Sequence, residues 1–230
     1  MRAGDTVMVL ASCAYMLRPI IKKLRDNGIP FHNPYRTTHR GWNPLTTDKA
    51  NISTMDRLKA FLQPDNDNEK FSGLDRWSKD AMAMWIPLLK SKDLLYTGCK
   101  KMVEAGDFKL PVTIPEWQWI IKNEDDVHKA LTLNKAWFKS NVVTNKLKAI
   151  GFPMKIIEKG FADQGPKVIV GTVHSVKGGE ADHVYVFPDI AYQASLGSYD
   201  ELVRLFYVAM TRAKQSLTLC GPADRLAVEW

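Results

Sequence analysis

The chain is poor in cysteine and has no long apolar run, and each shortage removes a class of protein. Its three cysteines, Cys13, Cys99 and Cys220, are odd in number, far apart and in no CxxC spacing. That speaks against a disulfide framework or a metal site and for reduced thiols in a cytoplasmic protein. No stretch approaches the roughly 18–20 apolar residues of a membrane span. The opening Met1-Arg2-Ala3-Gly4-Asp5 has none of the layout of a signal peptide. Dense lysine and arginine runs are also missing. The net charge of +7 comes from 24 basic against 16 acidic side chains over residues 1–150, and 8 against 9 over 151–230. Charge alone is therefore a weak pointer to a polyanionic partner. Also absent is any GxxxxGK[ST] segment, the loop whose backbone amides cradle phosphates, and no strand-like run ends in an Asp-Glu pair.

What is present reads as an α/β protein. Thr6–Ala11 is a short continuous apolar run of the kind found in buried parallel strands. Cys13–Asn27 follows as a helix with Leu17, Ile20, Ile21 and Leu24 on one face, closed by Gly28 and Pro30. Strands are expected again at Lys167–Val173, His183–Phe187 and Ser216–Cys220, with a helix over Val142–Ile150. Another helix begins after Ser198, where Glu201 sits at capping-box distance and Leu202, Leu205, Phe206, Ala209 and Ala213 repeat at helical spacing. The resulting organisation is one α/β domain over 1–35 and 141–230, interrupted by a mainly helical insertion over 36–140.

Helices are expected in the insertion near 48–62, 75–105, 115–122 and 124–140. It holds six of the seven tryptophans. Trp77, Trp85 and Trp137 fit core positions. Trp117 and Trp119 are surface candidates for base stacking, because residues two apart on a helix diverge. Of the histidines, His32, His39, His128 and His183 have no motif context. The helix–Gly–apolar–Pro–apolar exits at 24–31 and 147–154 echo one another, as generic helix-to-strand junctions do.

Two segments carry chemistry. Thr172-Val-His-Ser-Val-Lys-Gly-Gly-Glu180 directly follows a buried strand, and in open α/β sheets ligands bind beyond the carboxyl ends of strands. Its paired glycines permit close backbone approach. In Glu201-Leu-Val-Arg-Leu-Phe-Tyr-Val-Ala-Met-Thr-Arg-Ala-Lys214, Arg204, Val208, Thr211 and Arg212 gather on one side of the helix. Arg204 and Arg212 are then embedded among apolar residues, which requires an anion: a structural carboxylate or a ligand phosphate.

Together the two segments resemble motifs V and VI of superfamily 1A helicases, the UvrD/Rep/PcrA group. Their separation of about 30 residues fits. The opening stretch, with Arg18 and Gly28-Ile29-Pro30-Phe31, is similar to motif IVa, and the insertion occupies the place of the 2B subdomain. The resemblance implies a RecA-like parallel sheet with flanking helices, the second half of a two-part motor that holds ATP in its central cleft. It implies Arg212 as the arginine finger on the γ-phosphate. Glu180 meets the nucleotide sugar, with Gly178, Gly179 and Lys177 beside it. Thr172, His174 and Ser175 couple nucleotide to strand, Arg18 faces the DNA backbone, and Arg204, Tyr207 and Thr211 support motif VI. The chain departs from the family at Gly179 and Ala181, which flank Glu180 where a large apolar and an aromatic residue are usual, and at Ser12 and Ile21. Lys177 stands where the 5′-to-3′ group tends to carry Gln, which implies 3′-to-5′ polarity.

The expected partners are single-stranded or partly duplex DNA and an N-terminal RecA-like motor domain, with no membrane and no metal bound by this chain. ATP and Mg2+ would act only with that other half, leaving this part without ATPase activity alone. A bacterial or phage-encoded repair protein of the cytoplasm or nucleoid is the implied setting. The competing reading is a non-enzymatic nucleic-acid- or protein-binding module on the same scaffold.

Overall fold

In chain order the elements are β1 (Val7–Ala11), α1 (Arg18–Asp26), β2 (Phe31–His32), α2 (Thr54–Leu62), α3 (Lys79–Trp85), α4 (Cys99–Ala105), α5 (Ile114–Trp117) and α6 (Glu124–Leu131). They continue with α7 (Lys135–Asn141), α8 (Thr144–Glu158), β3 (Val168–Thr172), β4 (Ala181–Val186), α9 (Tyr192–Ser195), α10 (Tyr199–Met210) and β5 (Ala213–Leu219). These come from a computed structural model that describes residues 4–45, 47, 52–64, 77–109, 114–223 and 226–228. The Asp/Asn cluster at 65–68 and the starts of the helices expected at 48 and 75 lie outside the described residues. The chain divides into two compact units, Met1–Thr46 with Glu158–Trp230, and Thr47–Ile157.

The first unit is built on a five-stranded sheet in the order β2-β3-β1-β4-β5, every pair parallel. It is the expected RecA-like α/β arrangement. The apolar runs of β1 and β3 are continuous because both faces of these inner strands are covered, so Val9 and Val170 are buried along with Met8 and Ile169. On one face Met8, Leu10, Ile169, Val184 and Val186 meet Phe206 and Ala209 of α10. The β5 edge continues that face with Leu217 and Leu219 in register with Val184 and Val186, but both are 40% exposed.

Several elements differ from expectation. The helix read from Cys13 begins instead as a 3₁₀ turn over Ala14–Leu17, and α1 starts at Arg18 because Pro19 suits a first helical turn. The face expected to be buried is only half so: Leu17 is fully buried, but Ile20, Ile21 and Leu24 are intermediate. Gly28 does adopt positive φ after α1 (+66°). The two-residue strand β2 was not foreseen. At the start of α10, Ser198 accepts from the Asp200 N–H at 3.2 Å, whereas the reciprocal capping box forms at Ser53 and Asp56 of α2.

In the second unit Phe61, Trp77, Trp85, Trp117, Trp137 and Phe138 form one aromatic core; Phe61 and Phe138 stack at 4.3 Å between ring centroids. Trp117 is buried and Trp119 is 74% exposed, so the diverging pair supplies one core residue and one surface residue. Trp77 Nε1 donates to the Phe61 carbonyl and Trp137 Nε1 to Asp126. The Nε1 atoms of Trp85 and Trp117 have no partner among the described residues. The helix expected over 75–105 is cut after Trp85 into a 3₁₀ turn at Ile86–Leu88, which carries Pro87, and resumes after Gly98 (φ +83°). The helix expected over 124–140 breaks at Leu133, which has φ +55°. Helix α8 runs through Pro153 and sets Ile150 and Met154 into the aromatic core. The chain thus leaves this unit at 157/158 and enters it at 46/47, not near 140 and 35 as expected.

Candidate functional site

The 172–180 segment leaves the carboxyl end of β3 and arrives at the amino end of β4, and buried amides fix its course. Thr172 caps a 3₁₀ turn over Val173–Val176 by accepting from the Ser175 N–H, and Ser175 Oγ donates back to the Thr172 carbonyl at 2.8 Å. Fully buried Asn33, just beyond β2, donates through Nδ2 to the Val170 carbonyl (2.9 Å) and to Ser175 Oγ (3.3 Å). Gly171 makes room for this network. A Cβ there would lie 2.4 Å from both Asn33 Nδ2 and Ser175 Oγ. Ser175 is thus buried, and Thr172 acts as a cap.

The glycine pair has two separate reasons. Gly178 needs its freedom at φ +82° to turn the chain. Gly179 lies flat against Tyr35, where a Cβ would come within 2.3 Å of the phenol ring. Tyr35 is itself held by its N–H donating to Asn33 Oδ1 at 3.0 Å.

Past Glu180 the loop is anchored to the sheet. Asp182 accepts from the Thr6 N–H (2.8 Å), the Thr6 hydroxyl (2.7 Å) and Gln215 Nε2 (2.9 Å). The Thr6 backbone bond, then its hydroxyl bond, hold the carboxyl at a pKa of about 2. Exposed Glu180 faces Lys214 at 3.6 Å, a screened pair.

Arg212 sits between α10 and β5, at the amino end of β5. Its carbonyl accepts from the Ala181 N–H, so its main chain belongs to the sheet. The side chain folds back: Nε donates to the Val208 carbonyl at 2.9 Å and a terminal nitrogen to the Gly179 carbonyl at 3.4 Å. No carboxylate meets it among the described residues, so the internal salt bridge that its apolar surroundings call for is not formed. Nor is Arg204 embedded; it is exposed, because the helix also turns Val203 and Tyr207 outward.

A cleft of about 600 Å³ opens between the 3₁₀ turn and α10. His174, Lys177, Arg204 and Arg212 bring positive or titratable groups to it, Glu201 brings one carboxylate, and Val173, Leu205 and Val208 line the floor. Of the residues singled out from the sequence, these four basic groups come together. Gly178 and Glu180 are exposed beside the cleft. Tyr207 points outward at 67% exposure, and Thr211 Oγ bonds the Val208 carbonyl. Arg18 lines a different groove. Sequence reading missed Asn33, Asn43 and Tyr35. Their only signal was a polar Asn/Pro-rich stretch after an apolar pair.

Residues 167–220 match the model of the UvrD-like helicase C-terminal domain family. No curated protein matches the chain. The matched span runs from the residue before β3 to the residue after β5 and contains every residue that lines the cleft, whereas Asn33 and Tyr35, which brace its loop, lie outside it.

Proposed function

We propose that this chain, which carries a UvrD-type helicase C-terminal region over 167–220, is the strand-gripping, nucleotide-sensing half of an ATP-dependent DNA helicase or translocase. One observation carries the reading: Arg212 presents a guanidinium that no carboxylate neutralises, in a cleft whose other charged lining residues are mostly basic. A half-buried cation to which its own chain offers no carboxylate suits an anion arriving from outside. The planar fork of arginine suits phosphate.

ATP, when bound between the two halves, supplies the phosphoryl group and the negative charge that develops during its transfer. Arg212 neutralises that charge as the arginine finger. Lys177 and the Gly178–Gly179 turn border the nucleotide, and Glu180 accepts from its sugar. Thr172 and Ser175 set the 3₁₀ turn, so that His174 lies between nucleotide and strand and transmits closure to the DNA. Arg204, Tyr207 and Thr211 support α10, and Arg18 contacts the DNA backbone. Among the described residues no three His, Cys, Asp or Glu side chains gather to hold a metal ion; Mg2+ belongs to carboxylates of the N-terminal motor half. That half also brings the phosphate-binding loop, so hydrolysis needs both. We assign 3′-to-5′ movement from Lys177 by analogy.

The test is reconstitution with a phosphate-binding motor half and measurement of DNA-stimulated ATP hydrolysis. Arg212→Ala is expected to lower the rate about 10³-fold or more. An Arg212→Ala protein of normal activity would remove the finger assignment.

A further inference from the structure

Strand β5 ends the sheet, and on the side turned away from β4 it pairs with no strand among the described residues. The His183 and Phe187 N–H groups donate to the Thr6 and Leu10 carbonyls, and the Cys220 N–H donates to the Val186 carbonyl. A parallel ladder alternates the direction of its amides along each strand. The main chain of Thr218 therefore faces β4, whereas the amides of Leu217 and Leu219 point out of the open edge. Such edges are commonly blunted by lysine, proline or a bulge. In β5 the register shift and Lys214 both lie at the amino end, and residues 215–219 carry no charge and no proline.

An apolar shelf runs beside that edge. Leu217 and Leu219 share the sheet face that α10 covers, yet both are exposed. Tyr199, Val203 and Tyr207, spaced i, i+4, i+8, form one exposed flank of α10. The opposite flank, with Glu201, Leu205, Val208 and Arg212, lines the cationic cleft. That cleft's other wall is the 3₁₀ turn after β3, on the far side of β1 from β5. The tyrosine flank thus overlooks β5. Its two tyrosines alone offer on the order of 250 Å². A contiguous apolar patch larger than roughly a few hundred Å² marks a protein-binding surface.

A strongly charged segment finds no counter-charge here. What fits is a neutral strand with apolar residues two apart, and β5 is itself such a strand. Turned about a two-fold axis at Thr218, it lays Leu217 against the partner's Leu219 and Leu219 against the partner's Leu217. Each pair exchanges both of its main-chain bonds. The two Thr218 side chains meet at the axis on the other face, a favourable cross-strand pair. The two Lys214 residues end roughly 25 Å apart along the strands, so no like charges meet. We propose that two copies of this chain pair antiparallel through β5, joining two five-stranded sheets into one. The two α10 helices then stand on the same face, and their tyrosine flanks close over the leucine ladder. The proposal is independent of the nucleotide reading, whose cleft opens on the other flank of α10.

The test is sedimentation equilibrium of the whole chain, with thermal unfolding of each variant to establish that it folds. Wild type should show a monomer–dimer equilibrium in the micromolar range, and a chain still monomeric at about 100 μM overturns the proposal. Leu217→Pro removes an N–H that points away from β4, and should weaken association about tenfold or more. Leu217→Lys/Leu219→Lys sets like charges across the seam and should abolish the dimer, as should Leu217→Glu/Leu219→Glu. Mixing these two variants should restore a dimer, which unfolded chains would not do. A dimer that survives either double variant, or folded variants that stay monomeric when mixed, would overturn the pairing. Register is read from Thr218→Cys, which under mild oxidation should link two chains where wild type does not; the same low yield from both would count against the two-fold axis at Thr218. Trp119→Ala removes an exposed ring of the helical unit and should leave the dimer intact. Loss with Trp119→Ala but not with the β5 variants would place the interface elsewhere and sink the proposal.

Discussion

The two units solve burial in opposite ways. The helical unit fills its centre with Phe61, Trp77, Trp85, Trp117, Trp137 and Phe138, and leaves two indole N–H groups without partners among the described residues. The sheet unit buries fewer large rings but spends interior volume on Asn33, Asn43 and Ser175, each hydrogen-bonded. An aromatic cluster gives bulk stability through the large apolar area it buries. A satisfied amide network fixes the course of loops, since a half-made one costs more than none. The cationic cleft lies in the unit that takes the second course.

The comparison breaks most sharply at Trp85, fully buried and in contact with Phe61 and Trp77. Trp85→Ala should cost about 3–5 kcal/mol. Hydrogen exchange should then show amides of Thr47–Ile157 losing protection ahead of those in β1, β3 and β4. Equal loss in both units would dissolve the contrast.

Gly171→Ala comes next. Its methyl drives apart Asn33 Nδ2 and Ser175 Oγ, both buried, with a penalty of roughly 1–3 kcal/mol read from urea unfolding. Gly179→Ala should cost less, because Tyr35 is 42% exposed and its ring can turn into solvent. The reverse order would mean that the phenol, not the amide, holds the loop.

A finer comparison lies inside the aromatic core. Trp77→Phe gives up the bond to the Phe61 carbonyl, whereas Trp117→Phe gives up none. The first should therefore be the more destabilising by about 1 kcal/mol at matched volume loss. Equal midpoints in denaturant would show that both indoles serve only as bulk.

The smallest effect is on pH. The carboxyl of Asp182 is depressed in the folded state, to about 2 from the usual 3.8. Its stabilising contribution is complete above about pH 4 and falls away as pH drops toward 2. Thermal unfolding of Asp182→Asn should therefore differ from wild type at pH 7 and converge with it near pH 2. A constant gap would locate the effect in packing instead.

These contrasts also mark what the sequence made legible. The strands β1 and β3 were visible because double burial leaves an unbroken apolar run, and the cleft loop and α10 were visible as motifs. β2 was hidden because two residues make no pattern. The breaks at Ile86–Leu88 and Leu133 were missed because side-chain periodicity continues across them. Arg204 was misjudged because apolar residues on α10 face solvent as well as core. Asn33 lies 142 positions from Ser175, and nothing local in either residue announces the bond between them.

Arg212 is already tethered at two points, by Val208 and by Gly179. A free arginine surrenders roughly 1.5–2 kcal/mol of rotamer entropy when it is immobilised. Here most of that freedom is gone before any anion arrives, so engagement should be fast and enthalpy-led rather than a search through side-chain conformers. The tether to Gly179 also makes the glycine loop a gauge of occupancy: once the guanidinium turns to a ligand, that carbonyl is released, and the loop can register the change.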